Sequence, residues 1–177
     1  YSNSNGFVFT NVSEFAINRV VSVSNTNDGC QLTTCGLGDI HNLNTPGNSR
    51  NGVTLSTVKT VPFYFCSSNS NTKDGVEGQT GVEDCTFLYE ASSNSRAGIQ
   101  FTAASKRCFI HSTFVRGNTS AGIVFQATGD EHTIGGAVIA STNTWGINIA
   151  NANCNSITIL SPYYQGNTTG TLQNLGT

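Results

Sequence analysis

The sequence predicts an all-β solenoid of about seven coils, each of 23 or 24 residues, and three observations carry that reading. Glycine recurs in register at Gly6, Gly29, Gly52, Gly75, Gly98, Gly122, Gly146 and Gly170. The residues after each glycine alternate apolar and variable, as in Phe7 and Phe9, Cys30 and Leu32, Val53 and Leu55, Ile123 and Phe125, which is the period-two signature of a strand. Ala97-Gly98-Ile99-Gln100-Phe101 also returns as Ala121-Gly122-Ile123-Val124-Phe125. A repeat this short, with short strands and no helical run, cannot bury its apolar face alone and has to stack on its neighbours.

Taken in order, residues 1–5 match the polar turn before every later glycine and read as the tail of an earlier repeat. Seven repeats follow from Gly6, and an eighth begins at Gly170. Within each repeat a second apolar ladder stands at Ile17, Ile40, Phe63, Phe87, Ile110, Ile134 and Ile157. Two residues earlier runs a companion column of Phe15, Gly38, Val61, Cys85, Cys108, His132 and Asn155, which alternation also points inward. A third strand is expected near Val20, Leu43, Cys66 and Leu160, in a column that also holds Glu90, Thr113 and Ala137. The polar end of each repeat supplies Asn25, Asn48, Asn71, Asn94, Asn118, Asn143 and Asn167. Asparagine tolerates a left-handed backbone and bonds to neighbouring turns, so this row is expected at a repeated corner.

Composition narrows the function. With 10% charged residues, a net charge of -2 and eight scattered Lys and Arg, the chain has no basic stripe for nucleic acid. No apolar run approaches the length of a membrane span. The sequence contains no Met, not even at position 1, which is expected of an excised or processed piece. Six cysteines form no CxxC pair. A Cys85–Cys108 bridge between stacked strands is geometrically open, and buried thiols filling an apolar column are the favoured reading. Glu83-Asp84, Lys106-Arg107 and Asp130-Glu131 in successive repeats read as a solvated ion-pair row along one edge.

The rungs Ile110-His111-Ser112-Thr113-Phe114-Val115-Arg116-Gly117-Asn118-Thr119 and Ile157 to Thr168 resemble the aromatic, glycine, asparagine rung of pectate-lyase-like right-handed parallel β-helices, and most of all their viral tail-spike members. The resemblance covers nearly the whole chain. It implies a single right-handed parallel β-helix domain over residues 1–177, about 34 Å long at ~4.8 Å per coil. It is specific for the fold and weak for activity, because many functions share this scaffold.

Polysaccharide-cleaving members of that family use carboxylates on the outer face, so the acids are the candidate catalytic residues. Asp28 and Asp74 share a column with Asn51 between them, about 9.6 Å apart across two coils and near the upper end of the ~6.5–9.5 Å spacing of inverting glycosidases. Asp-Gly is also simply a good turn, which is the favoured reading. Glu77 is an outward strand residue, and Glu90 points inward or outward depending on a one-residue slip in the fourth repeat. That repeat is the least regular, and a groove is expected there. His41, His111 and His132 share no metal-binding spacing, so no metal and no cofactor is expected. His132 reads as a core histidine with a hydrogen-bond partner. Trp145, Tyr163 and Tyr164, with Arg116, are the candidate glycan-binding residues, since exposed aromatic faces hold sugar rings or bury against a neighbouring subunit.

The expectation from the sequence is therefore a non-catalytic segment of a virion spike or fibre, on the virion surface or otherwise extracellular, forming a homotrimer and binding cell-surface polysaccharide. A polysaccharide depolymerase of the same fold is the second reading. A bacterial surface adhesin is the third.

Overall fold

The computed structural model describes residues 4–136 and 139–175, so Ala137 and the outermost residues of the expected pattern lie outside the described residues. It is an all-β parallel solenoid of about seven turns, as expected. One sheet of eleven strands holds the segments that follow the glycines, from Phe7–Thr10 and Cys30–Gly36 through to Trp145–Ile149 and Gly170–Asn174. A second sheet of ten strands holds Ala16–Val21, Asp39–Asn44, Pro62–Asn69, Thr86–Ser92 and their successors. All named pairings are parallel, and one column runs Phe7, Cys30, Val53, Val76, Ile99, Ile123, Ile147, Leu172.

The core is a stack of these one-per-coil columns. Phe63 lies on Phe87 with ring centroids 5.1 Å apart, and Phe101 on Phe125 at 5.2 Å. Each such ring or branched chain, fully buried, contributes about 1.5–3 kcal/mol. The ladder glycines are there for space. A Cβ on Gly52 would fall 2.7 Å from the Gly75 carbonyl oxygen and 2.4 Å from Ser68 Oγ. All six cysteines are buried free thiols, and burial pushes Cys30 up to about 12 and Cys66 up to about 11.

The asparagine row forms a continuous buried chain of amides. Asn71 Oδ1 accepts from the Asn48 backbone N–H and from Asn48 Nδ2, and the same bond pattern continues through Asn94, Asn118 and Asn143 to Asn167. The left-handed backbone expected of these asparagines belongs to the residue before each one: Ser24, Gly47, Ser70, Ser93, Gly117, Thr142 and Gly166. The amide must point along the stack to reach the next rung, so the corner itself passes to its neighbour. The charged edge is present as Lys59–Glu83 at 3.2 Å and Arg107–Asp84 at 2.7 Å, and the Arg107 guanidinium holds the Asp84 carboxyl below its usual range.

Two columns differ from expectation. The third strand is separate only from the fifth coil, where Phe109–His111 and Phe114–Arg116 replace one continuous strand. In the last full coil Thr133 pairs with Thr158 and Ile134 with Ile159, so Ile159 and not Ile157 completes the second ladder. The turn around Asn151 to Cys154 takes up the extra residues. Ile157 packs against the core from the companion column, Asn155 is turned outward, and Leu160 is exposed.

The fourth coil is irregular in a compensated way. In the first sheet Leu55 pairs with Gly78 but Ser56 with Thr80, which loops out Gln79. In the second sheet Tyr64 pairs with Leu88 but Cys66 with Tyr89, which loops out Phe65 on the third coil. The second bulge cancels the first, so both flanks of this segment keep a 23-residue step while the segment itself steps by 24. A one-residue shift exchanges the faces of a strand, and here it turns Tyr89 into the core and Glu90 out of it.

Candidate functional site

The four candidate acids, Asp28, Asp74, Glu77 and Glu90, fall into two separate places. Along the first sheet, Asn5, Asp28, Asn51 and Asp74 form a second side-chain ladder, each Oδ1 accepting the backbone N–H of the next rung: Asp28 at 3.1 Å, Asn51 at 3.0 Å, Asp74 at 3.1 Å and Ala97 at 2.9 Å. Asp28 and Asp74 thus serve as buried rungs of the corner that Asp-Gly predicted.

Asp74 and Glu77 do converge, and they converge on Arg96. Arg96 grips both oxygens of Asp74 and reaches Glu77 Oε1 at 3.2 Å, while Glu77 Oε2 accepts from Asn51 Nδ2 at 2.8 Å and Gln79 Nε2 at 3.1 Å. Burial holds the Asp74 carboxyl above its ordinary range, with the Arg96 guanidinium and the Ala97 N–H pulling it back. Every carboxylate oxygen of the pair already accepts a protein hydrogen bond. A general acid or base needs an oxygen within reach of the substrate proton, and this closed cluster presents none.

The open site lies on the second sheet, at the bulge. Phe65, Cys66, Ser67, Leu88, Tyr89, Glu90, Ser112 and Phe114 surround a pocket of about 380 Å³, the size range of small-ligand clefts. Phe65 has φ of 55° and is 71% exposed. The same left-handed bend recurs at Asn42 and Arg19, one and two coils earlier, and a bulky residue there costs roughly 1–2 kcal/mol, so the third coil carries a phenylalanine outward at a bend that suits asparagine better. Phe114 is 45% exposed, and it shares an outward column with Ser67 and Glu90. At the rim Arg116 donates to Glu90 Oε1 at 3.1 Å, while Ser92 Oγ, 3.4 Å from the same oxygen, gives its one proton to Asn69 Oδ1 at 2.8 Å.

The expected groove in the fourth repeat therefore coincides with Leu88, Tyr89 and Glu90. Glu90 lines it and Arg116 pairs with Glu90, whereas Asp74 and Glu77 lie at the other sheet. Phe65 and Phe114 were not singled out by the sequence. Phe65 occupies the column of Arg19 and Asn42, two other left-handed residues, and a phenylalanine in a polar bend column was the readable signal.

The other aromatics are dispersed. Trp145 lies half-buried over Ala97, Ala121 and Val124 on the first sheet. Tyr163 is exposed on the second sheet, and Tyr164 next to it turns inward onto the core, where burial raises its phenol pKa. The half-buried Tyr164 ring packs part of its surface on the core, which leaves less of it for a sugar. His132 is fully buried between Phe101 and Phe125, its Nδ1 accepting from the Cys108 N–H and its Nε2 facing Ser105 Oγ at 3.2 Å. Among the described residues no three His, Cys, Asp or Glu side chains converge as a metal site.

No family model and no curated protein matches this sequence. Solved structures do resemble it in fold. The A-module of a mannuronan C-5 epimerase from Azotobacter vinelandii superposes with a TM-score of 0.75 at 14% identity, covering 99% of this chain and 54% of that one. A periplasmic alginate epimerase superposes with a TM-score of 0.55 at 11% identity, covering 96% of this chain and 48% of that one. The chain spans about half the length of each of these structures, and at such identities the likeness is one of fold: the parallel β-solenoid read from the glycine ladder is the scaffold of both epimerase domains.

Proposed function

We propose that this solenoid binds a polysaccharide on the outer face of its second sheet, without cleaving it, through the pocket between Phe65 and Phe114. The observation that carries the reading is the bulge at Phe65. It places an aromatic ring at an energetic cost beside a second exposed ring and a charged, hydrogen-bonding rim. Bulges that re-aim a side chain are a recurrent feature of functional sites. Flat aromatic faces flanked by a carboxylate and a guanidinium suit a sugar, whose C–H face stacks while its hydroxyls bond at the edge. The scaffold's likeness to two epimerases named for mannuronan and alginate adds a fold-level analogy for a polysaccharide ligand and carries nothing about the charge of its sugars.

The finer reading is an extracellular spike or fibre segment, on a virion and assembled as a homotrimer. Its support is the low charge of the chain and the resemblance of its rungs to tail-spike solenoids. Sedimentation of the protein reporting a trimer would agree with it, and a monomer at high concentration would oppose it. A depolymerase reading is favoured only by the meeting of Asp74 and Glu77, and their saturated hydrogen bonding argues against it.

A glycan array tests the binding proposal. The protein is expected to retain one or more glycans, and Phe114→Ala is expected to weaken retention at least about tenfold, as for loss of a central aromatic anchor. Unchanged binding in Phe114→Ala, or release of oligosaccharides from a retained glycan, would overturn it.

A further inference from the structure

We infer that the pocket selects an uncharged sugar, a neutral or N-acetylated hexose, and discriminates against uronates. The inference rests on the proposed glycan binding and adds the chemical class of the ligand.

Glu90 is the one formally charged residue lining the pocket, and its charge is already matched by Arg116. The remaining lining is apolar or hydroxylic: Phe65, Leu88 and Phe114 with Ser67 and Ser112. Glu90 spends Oε1 on Arg116, while no described residue donates to Oε2. The open oxygen can only accept, so the ligand group that meets it must be a donor. Arg116 is 59% exposed and keeps N–H groups free beyond the one that Glu90 takes, so the neighbouring ligand atom must accept. A sugar hydroxyl pair does both at once. A ring carboxylate can accept from Arg116 but cannot donate to Glu90, and it brings a second negative charge to a site whose guanidinium already serves the first. Like charges brought together this closely are disfavoured even near a surface.

The test compares matched oligosaccharides of neutral hexoses and of hexuronates by calorimetry at low and moderate salt, on the intact protein and on Glu90→Gln. The intact protein is expected to bind the neutral series about tenfold more tightly or better, with the gap narrowing as salt screens the repulsion. Glu90→Gln removes the charge, keeps an acceptor, and is expected to close most of the gap by improving uronate binding. Equal or tighter uronate binding by the intact protein would overturn this inference and leave the glycan reading standing. Failure of both series together with every glycan on the array would overturn the glycan reading itself. A Glu90→Gln variant that loses neutral binding without gaining uronate binding would also count against the inference, because Glu90 would then act by structure and not by charge.

Discussion

Asn71 Oδ1 receives two hydrogen bonds from a single residue one coil away, the Asn48 backbone N–H at 2.8 Å and Asn48 Nδ2 at 3.1 Å. Both asparagines are buried, so water cannot replace either bond. Asn71→Ala strands the Asn48 backbone N–H, takes one acceptor from Asn48 Nδ2, which keeps the Ser22 and Thr45 carbonyls, and leaves Asn94 Oδ1 with only the backbone N–H of residue 71. The expected loss is about 3 kcal/mol in equilibrium urea unfolding. A loss below about 1 kcal/mol would mean the ladder is ornamental to stability.

Among the described residues Arg96 is the one cation that bridges Asp74 and Glu77. Removing it as Arg96→Met leaves two acids facing each other with little access to water. Breaking such a pair costs about 3–5 kcal/mol when fully buried; since Arg96 is 41% exposed, water screens part of this and about 2–3 kcal/mol is expected. Adding Asp74→Asn and Glu77→Gln to Arg96→Met is expected to recover most of the loss. If these acids were catalytic, the two carboxamide replacements alone would instead abolish an activity while leaving stability nearly unchanged.

His132 gives the fold an acid-sensitive point. Burial lowers its pKa from 6.5 to about 4, so the native protein keeps the ring neutral while the unfolded chain takes up a proton as pH falls through 6.5. Its contribution to stability is unaffected above that value, declines between 6.5 and 4, and reaches its full deficit below 4. That deficit is about 3 kcal/mol. His132→Gln keeps a donor and an acceptor but does not titrate, and the difference between the two proteins' stability profiles is expected to open in that window. Parallel profiles would contradict a buried neutral histidine.

Phe65 should show a conflict between stability and binding. Asparagine tolerates the left-handed backbone that phenylalanine holds at a cost, so Phe65→Asn is expected to raise stability by about 0.5–1 kcal/mol. The same change removes one wall of the pocket and is expected to weaken glycan binding. A variant that is both less stable and unaltered in binding would show that the ring serves packing alone.

Much of this fold is legible in the sequence because every coil repeats the same contacts one step further on. Gly52 against Gly75, Ile110 against Ile134, and Asn48 against Asn71 could be aligned by number alone, and the structure stacks them so. What could not be read is where a coil hides an extra residue. Gln79 and Phe65 are looped out in opposite sheets, and the count of residues per repeat stays the same. Glu90 consequently stood open between inward and outward. Counting by 23 or 24 puts Ile157 in the second ladder, whereas the turn near Asn151 brings Ile159, two residues on, to Ile134 instead. The acids were visible as residues, but their partners were not. Arg96 lies 19 and 22 positions from Glu77 and Asp74, a separation that only the closing of a coil brings into contact.

A glycan held in the bulge-made pocket on the second sheet leaves a localised footprint on the protein. Chemical-shift mapping of the labelled protein, titrated with an oligosaccharide that it retains on the array, tests this most directly. The predicted result is a set of perturbations centred on Phe65, Leu88, Glu90, Phe114 and Arg116, with the sugar recovered intact. Perturbations confined to Trp145 or to Asp74, Glu77 and Arg96 on the first sheet, above all with the sugar cleaved, would contradict it.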